Sequence, residues 1–349
     1  MSHSGSDIQF MQRALQLAAI GGVGVAPNPM VGAVIVHNDR IIGEGYHKLY
    51  GGPHAEVNAV NSVKAPELLP EATIYVTLEP CSHFGKTPPC ADLIIEKQFK
   101  RVVIACIDPF AKVAGSGMKR IKAAGIEVTV GILEEEAKWL NRRFFTFHKA
   151  KRPYVLLKWA ASADGFLDQE IKDSKREIQW ITPPIAKTYV HRWRASEQAI
   201  LVGWKTVQND NPKLNVRKVT GRNPHRFIID PQCKASVNST VFQDGAPTTV
   251  FVEENTYKNM PESVTVVGLS TYNLENMLAY LYEKNILSIF VEGGGFTLNE
   301  FISQNLWDEA FIFSGEVVFK NGTKAPTING VNIEHKEIGN SQLNHILNS

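Results

Sequence analysis

Apolar residues recur at helical spacing near the start of the chain. Ile8, Met11, Leu15 and Ala18 fall on one face, behind a Ser6-Asp-Ile-Gln9 capping-box spacing. Gly21-Gly22 ends that helix, and Pro27-Asn28-Pro29 forces an irregular turn. Positions 30–36 and 40–45 then read as two strands around an Asn38-Asp39 hairpin turn. The pattern next predicts a helix over 54–63, a strand over 73–78, a polar Gly/Pro-rich loop over 82–89 and a helix over 90–97. A strand at 101–107, a helix at 116–124, a strand at 126–130 and one long helix over 133–147 close this half. The basic stretch Lys149-Ala-Lys-Arg-Pro153 marks a boundary, giving domains 1–148 and 149–349. Beyond it, strands at 154–159, 199–202, 226–229, 248–252, 288–291 and 309–314 alternate with helices at 184–195, 274–284 and 296–305, and a polar tail follows. Such alternation implies sheets covered by helices: a three-layer α/β/α domain followed by a second α/β domain.

Composition narrows the partners. The 349 residues carry 37 basic and 35 acidic side chains, a net charge of +2. That balance gives no footprint for nucleic acid or an anionic membrane. No run of 18 apolar residues occurs, and the N-terminus lacks the basic-then-apolar pattern of a secretory signal. Four cysteines in 349 residues are too few for a disulfide framework. A cytoplasmic enzyme acting on a small molecule, self-associated as a homo-oligomer, is the expectation.

The chemistry concentrates in His54-Ala-Glu56 and Glu79-Pro-Cys81-Ser-His83-Phe-Gly-Lys86-Thr-Pro-Pro-Cys90. One imidazole and two thiolates fill three corners of a zinc tetrahedron and leave the fourth open, as a catalytic site requires. Zinc lowers the pKa of a bound water to about 7. A carboxylate two residues from the histidine can then shuttle the proton, so Glu56 is the candidate acid/base. Positions i and i+2 of a regular helix diverge, so Glu56 must use its length or an irregular first turn. A structural site would need a fourth protein ligand, for which His83 is placed awkwardly. His47 is read as a surface or supporting residue, and Cys106 and Cys233 as inert. In the second half, Glu292-Gly-Gly-Gly295 follows an apolar strand and precedes a helix, where backbone amides can cradle phosphate; a tight turn is the competing reading.

These strings, with Ala26-Pro-Asn-Pro-Met-Val-Gly32 upstream, resemble the bifunctional riboflavin-biosynthesis deaminase/reductase family over about residues 7–147. The shorter zinc deaminase signature has two residues between its cysteines, whereas eight separate Cys81 from Cys90 here. The resemblance implies a cytidine-deaminase-like fold with one zinc per chain on His54, Cys81 and Cys90, proton transfer by Glu56, and substrate contacts at Asn28, His83 and Lys86. Lys158-Trp-Ala-Ala-Ser-Ala-Asp-Gly165, Gln179-Trp-Ile-Thr182, Arg194-Ala195 and the segment from Thr206 to Arg217 resemble the reductase half over about 152–315. That half implies a dihydrofolate-reductase-like fold using NADPH. Ala160, Trp180, Thr206, Asp210, Gly294, Gly295, Phe296, Thr297, Leu298 and Asn299 would contact the cofactor, and Arg194, Leu214, Arg217 and Glu292 the substrate. Ile178 stands where the family commonly has serine. Core packing competes for Trp180 and Leu214, and an ion pair for Arg194 and Arg217. The implied activity is zinc-dependent deamination of 2,5-diamino-6-(5-phosphoribosylamino)pyrimidin-4-one, then NADPH-dependent reduction of the ribosyl to a ribityl group. A nucleobase or tRNA deaminase and a non-catalytic binding protein on the same fold are the other classes to separate.

Overall fold

The computed structural model describes residues 5–82, 88–109, 115–169, 179–256 and 259–349. The chain divides into two compact units, Met1–Lys151 and Arg152–Ser349.

In the first unit, α1 (Gly5–Gly21) is followed by β1 (Gly32–His37), β2 (Arg40–Tyr46), α2 (Ala55–Ser62), β3 (Thr73–Leu78) and α3 (Cys90–Glu96). Then come β4 (Arg101–Cys106), α4 (Ser116–Ala123), β5 (Glu127–Val130), α5 (Glu134–Leu140) and α6 (Arg142–Ala150). The strands order as β2-β1-β3-β4-β5, antiparallel in the β2-β1-β3 part and parallel from β3 to β5. His37 pairs with Arg40 across Asn38 and Asp39, both at positive φ, which matches the twist a two-residue hairpin needs. Ala33, Ile35, Ile74, Val76, Val102 and Ile104 turn to one face, against Ala55 and Ala59 of α2, Ala91 and Ile94 of α3, and Ile121 of α4. On the other face α1 packs on β1 and β3, and α5 on β4. The unit therefore has three layers. A Cβ on Gly45 would lie 2.3 Å from the Ala59 nitrogen, so glycine lets α2 lie directly on β2 and fixes where its first turn points.

The expected single helix over 133–147 is two helices. Asn141 leaves helical geometry and is 2% exposed, and its side chain bonds both backbone groups of Met30, 111 residues away. A buried amide must be satisfied, and here that demand overrides helical continuity.

In the second unit, β6 (Tyr154–Ala161), β7 (Phe166–Gln169), α7 (Ala186–Ser196), β8 (Ala199–Gly203) and α8 (Trp204–Asp210) precede β9 (His225–Ile229), α9 (Thr240–Gln243), β10 (Thr248–Glu253) and β11 (Val264–Leu269). The chain continues through α10 (Leu274–Glu283), β12 (Ser288–Val291), α11 (Gly295–Ser303), β13 (Glu309–Gly315), β14 (Gly322–Lys324), β15 (Val331–Ile338) and β16 (Ser341–Leu347). A nine-stranded sheet orders as β11-β10-β9-β8-β12-β6-β13-β16-β15, parallel through β13 and antiparallel beyond it. Val155, Leu157, Phe227 and Ile289 face α10 and α11, while Leu156, Ile200, Ile228 and Phe290 face α7 and α9. The polar tail expected after 314 instead forms strands. Only alternate residues of β16 are buried, and β15 is exposed along nearly all its length, so neither carries a strong apolar pattern. Among the described residues no helix is long and apolar enough to cross a membrane.

Candidate active sites

His54 is the residue before α2 and has extended backbone (φ −71°, ψ 167°), which releases it from the helical register. Glu56, in the first turn, can therefore point to the same place despite the spacing of two. Cys81 follows the end of β3, and Cys90 opens α3. His54 Nδ1 lies 3.3 Å from Cys90 Sγ and 3.6 Å from Cys81 Sγ. Tetrahedral zinc with Zn–N of about 2.0 Å and Zn–S of about 2.3 Å requires nitrogen–sulfur edges of about 3.5 Å, so these edges fit the ion. All three ligand atoms lie within 4.8 Å of one another, and they form a group able to hold a metal. The backbone N–H of Cys90 donates to Cys81 Sγ at 3.3 Å, which fixes one thiol against the other.

Electrostatics reinforce the grouping. The bond between the thiols holds Cys81 far down, to about 4, and together with burial it pushes Cys90 up. Hydrogen bonding to Cys81 raises His54. Glu56 is 3% exposed, and burial first, with the charge at Cys81 second, raises its carboxyl to about 7. Its carboxyl reaches the Cys90 thiol.

Asn28 stands beside this group, its Nδ2 3.1 Å from His47 Nε2. His47 is buried and its ring packs edge-on against that of His54, with centroids 5.5 Å apart. The turn carrying Asn28 is held by the Asn141 clamp on Met30, by His47 N–H on the Val31 carbonyl and by Gly32 N–H on Thr77 Oγ1. His83, Lys86 and Ile178 lie outside the described residues. Glu79, quoted only as part of the cysteine motif, accepts backbone N–H groups from Gly115 and Met118 and so caps α4, whose own N-cap glycine has no side chain.

The second unit holds a cavity of about 1150 Å³, more than a single drug-sized ligand fills. Of the expected cofactor residues, Ala160, Trp180, Thr206, Asp210 and the run Gly294 to Leu298 line it. Gly294 has φ +72°, which only glycine adopts without strain. Asn299 is exposed on α11 and does not line the cavity. Trp180 and Phe296 are 62% and 76% exposed on its wall, so Trp180 is not a core residue. Of the expected substrate residues, Glu292 lines the cavity, whereas Arg194, Leu214 and Arg217 do not. Arg194 grips Glu292 through two bonds of 2.5 and 2.8 Å and also donates to the Asn215 carbonyl. Burial opposes the charge on Glu292, and Arg194 overcomes it, holding the carboxyl below its ordinary range. Leu214 is in the core at 2% exposure, and Arg217 is exposed, bonded to Asn215. Lys158, which the sequence patterns did not single out, lines the same cavity; burial lowers its ammonium and Glu292 opposes that.

A three-layer unit with a His/Cys/Cys group and a buried glutamate has the parts of a metal-dependent deaminase, and the second unit offers a cavity with room for a cofactor beside a substrate, as a reductase needs. Comparison with known proteins bears this out. Residues 4–106 match the cytidine and deoxycytidylate deaminase zinc-binding region, and residues 153–341 match the RibD C-terminal domain. The chain is 42% identical over 321 residues to the riboflavin biosynthesis protein RibD of Aquifex aeolicus, covering 90% of this chain and 88% of that one. It is 37% identical to the RibD of Escherichia coli K12, covering 88% and 87%. A crystal structure of a diaminohydroxyphosphoribosylaminopyrimidine deaminase/5-amino-6-(5-phosphoribosylamino)uracil reductase from Thermotoga maritima superposes with a TM-score of 0.89 at 39% identity, covering 99% of both chains. The chain belongs to the RibD family: a bifunctional riboflavin-biosynthesis enzyme with a zinc-binding deaminase domain and a reductase domain.

Proposed function

We propose that the first unit converts 2,5-diamino-6-(5-phosphoribosylamino)pyrimidin-4(3H)-one to 5-amino-6-(5-phosphoribosylamino)uracil, and that the second reduces the ribosyl group of that product to ribityl with NADPH. The convergence of Glu56 on the His54/Cys81/Cys90 group carries the first half of this reading. His54, Cys81 and Cys90 would hold one zinc, which when bound supplies the Lewis acidity that brings a water near pKa 7. Glu56 takes a proton from the attacking water and gives it to the pyrimidine ring nitrogen, then carries the remaining proton of the new C2 hydroxyl to the amino group, so that the C–N bond breaks, the carbonyl forms and ammonia leaves. Asn28, with His83 and Lys86, binds the substrate.

For the second half, Ala160, Trp180, Thr206, Asp210 and the segment from Gly294 to Leu298 would bind NADPH, which supplies the hydride for C1′ of the sugar. Glu292, held by Arg194, accepts from the sugar hydroxyls, and Lys158 on the same wall gives its proton to the ring oxygen as the C1′–O4′ bond opens. Arg217, outside the cavity lining but linked to Arg194 through Asn215, takes the phosphate, since a guanidinium binds it bidentately and stays charged. The test is the purified, zinc-loaded chain given the diaminopyrimidine. Ammonia should appear first, and NADPH absorbance should fall only afterwards. Ammonia from a free nucleoside or a tRNA instead, with no NADPH consumed, would replace this reading with a nucleobase deaminase.

A further inference from the structure

His47 has a carbonyl on one ring nitrogen and an amide on the other. Nδ1 lies 3.0 Å from the Pro53 carbonyl oxygen, immediately before the ligand His54, and Nε2 lies 3.1 Å from the Asn28 side chain. A carbonyl only accepts, so Nδ1 carries the hydrogen. The ring is 3% exposed, and among the described residues no carboxylate pairs with it. Nε2 faces the amide nitrogen of Asn28, which only donates, so Nε2 is the acceptor. Asn28 thus gives its NH2 group to His47. Its Oδ1 is turned away, and among the described residues nothing donates to it. Backbone bonds lock both partners: Asn28 N–H to the Val25 carbonyl and His47 N–H to the Val31 carbonyl.

From this geometry we infer that His47 is a positioning residue for deamination, its Nδ1–H tautomer fixing Asn28 as a hydrogen-bond acceptor toward the substrate. The site then selects a pyrimidine that presents an N–H or O–H donor to Asn28, and turns away one that offers only an acceptor there. Without His47 the amide can invert, and the substrate must immobilise it on binding.

The substrate arm of the test rests on the deaminase reading above; the tautomer arm does not. In the zinc-loaded full chain labelled with ¹⁵N-histidine, His47 should show a protonated Nδ1 and a bare Nε2. A protonated Nε2 would overturn the inference, because Asn28 would then turn its oxygen inward. His47→Phe should keep its zinc and its kcat for ammonia release from the diaminopyrimidine, while KM rises about 2- to 10-fold, the cost of ordering one side chain. His47→Gln, which can donate to Pro53 and accept from Asn28, should recover part of that rise. An unchanged KM in His47→Phe would also overturn it. If His47→Phe loses its zinc, the tautomer measured on the unmodified chain decides. A wild-type chain that releases no ammonia would instead refute the deaminase reading and leave the tautomer result standing.

Discussion

A glutamine at position 56 keeps the size of the buried side chain and loses its capacity to take and return a proton. Glu56→Gln should therefore lower deamination by roughly 10²- to 10⁴-fold while zinc stays bound, read from ammonia release and metal analysis on one preparation. Near-normal ammonia release would mean that another group moves the proton. Cys90→Ala removes one of three ligands and should strip the zinc on dialysis; full, tightly held metal would contradict the ligand assignment. His54, Glu56, Cys81 and Cys90 were legible because the motif lies in two short stretches of sequence. The groups that hold the site were not. Asn141 acts on Met30 across 111 positions, and Arg194 meets Glu292 across 98. No local pattern encodes such pairs: Asn141 is met by the backbone of Met30, which leaves no mark in the sequence, and Arg194 and Glu292 were each named for the substrate and not for one another. Lys158 was quoted only within a longer string, since a lysine on a strand reads equally as a solvent-facing residue.

At the scale of elements, the break between α5 and α6 is the most consequential departure from the sequence pattern. Asn141→Ala would leave the N–H and carbonyl of Met30 without their partners, at a cost of about 1–3 kcal/mol for each group that stays buried. A clear drop in the urea midpoint is expected, and a change within about 0.5 kcal/mol would show that the clamp is incidental. In the second unit Arg226, 2% exposed, grips Asp244 through two bonds of 2.7 Å. Hydrogen bonding to Arg226 holds the Asp244 carboxyl below its ordinary range. The contribution of this pair is thus complete above the unfolded aspartate pKa of about 3.9 and is lost as pH falls through the lower folded value. Asp244→Asn should be less stable than the parent at pH 7, with the gap closing in strong acid. A gap that does not change between pH 7 and pH 2 would contradict the pairing. The strands buried on both faces were legible as apolar runs. β15 and β16 were missed because an edge hairpin buries at most one face, and its exposed positions dilute the alternation.

At the scale of the whole molecule, each unit has its own buried clusters, so a lesion in one site should leave the other reaction intact. The two α/β halves were legible because helical and strand periods alternate along the chain, whereas the cavity was not: its wall gathers residues from Lys158 to Thr323. In the proposed function one chain performs two reactions in order, the deaminated product being the reductase substrate. The direct measurement is NADPH oxidation by Glu56→Gln, supplied in separate assays with the diaminopyrimidine and with the aminouracil. Almost no NADPH should be consumed with the first, and the second should be reduced at the parental rate. Equal, substantial oxidation of NADPH with both would contradict it, because reduction would then not depend on the deamination that Glu56 performs.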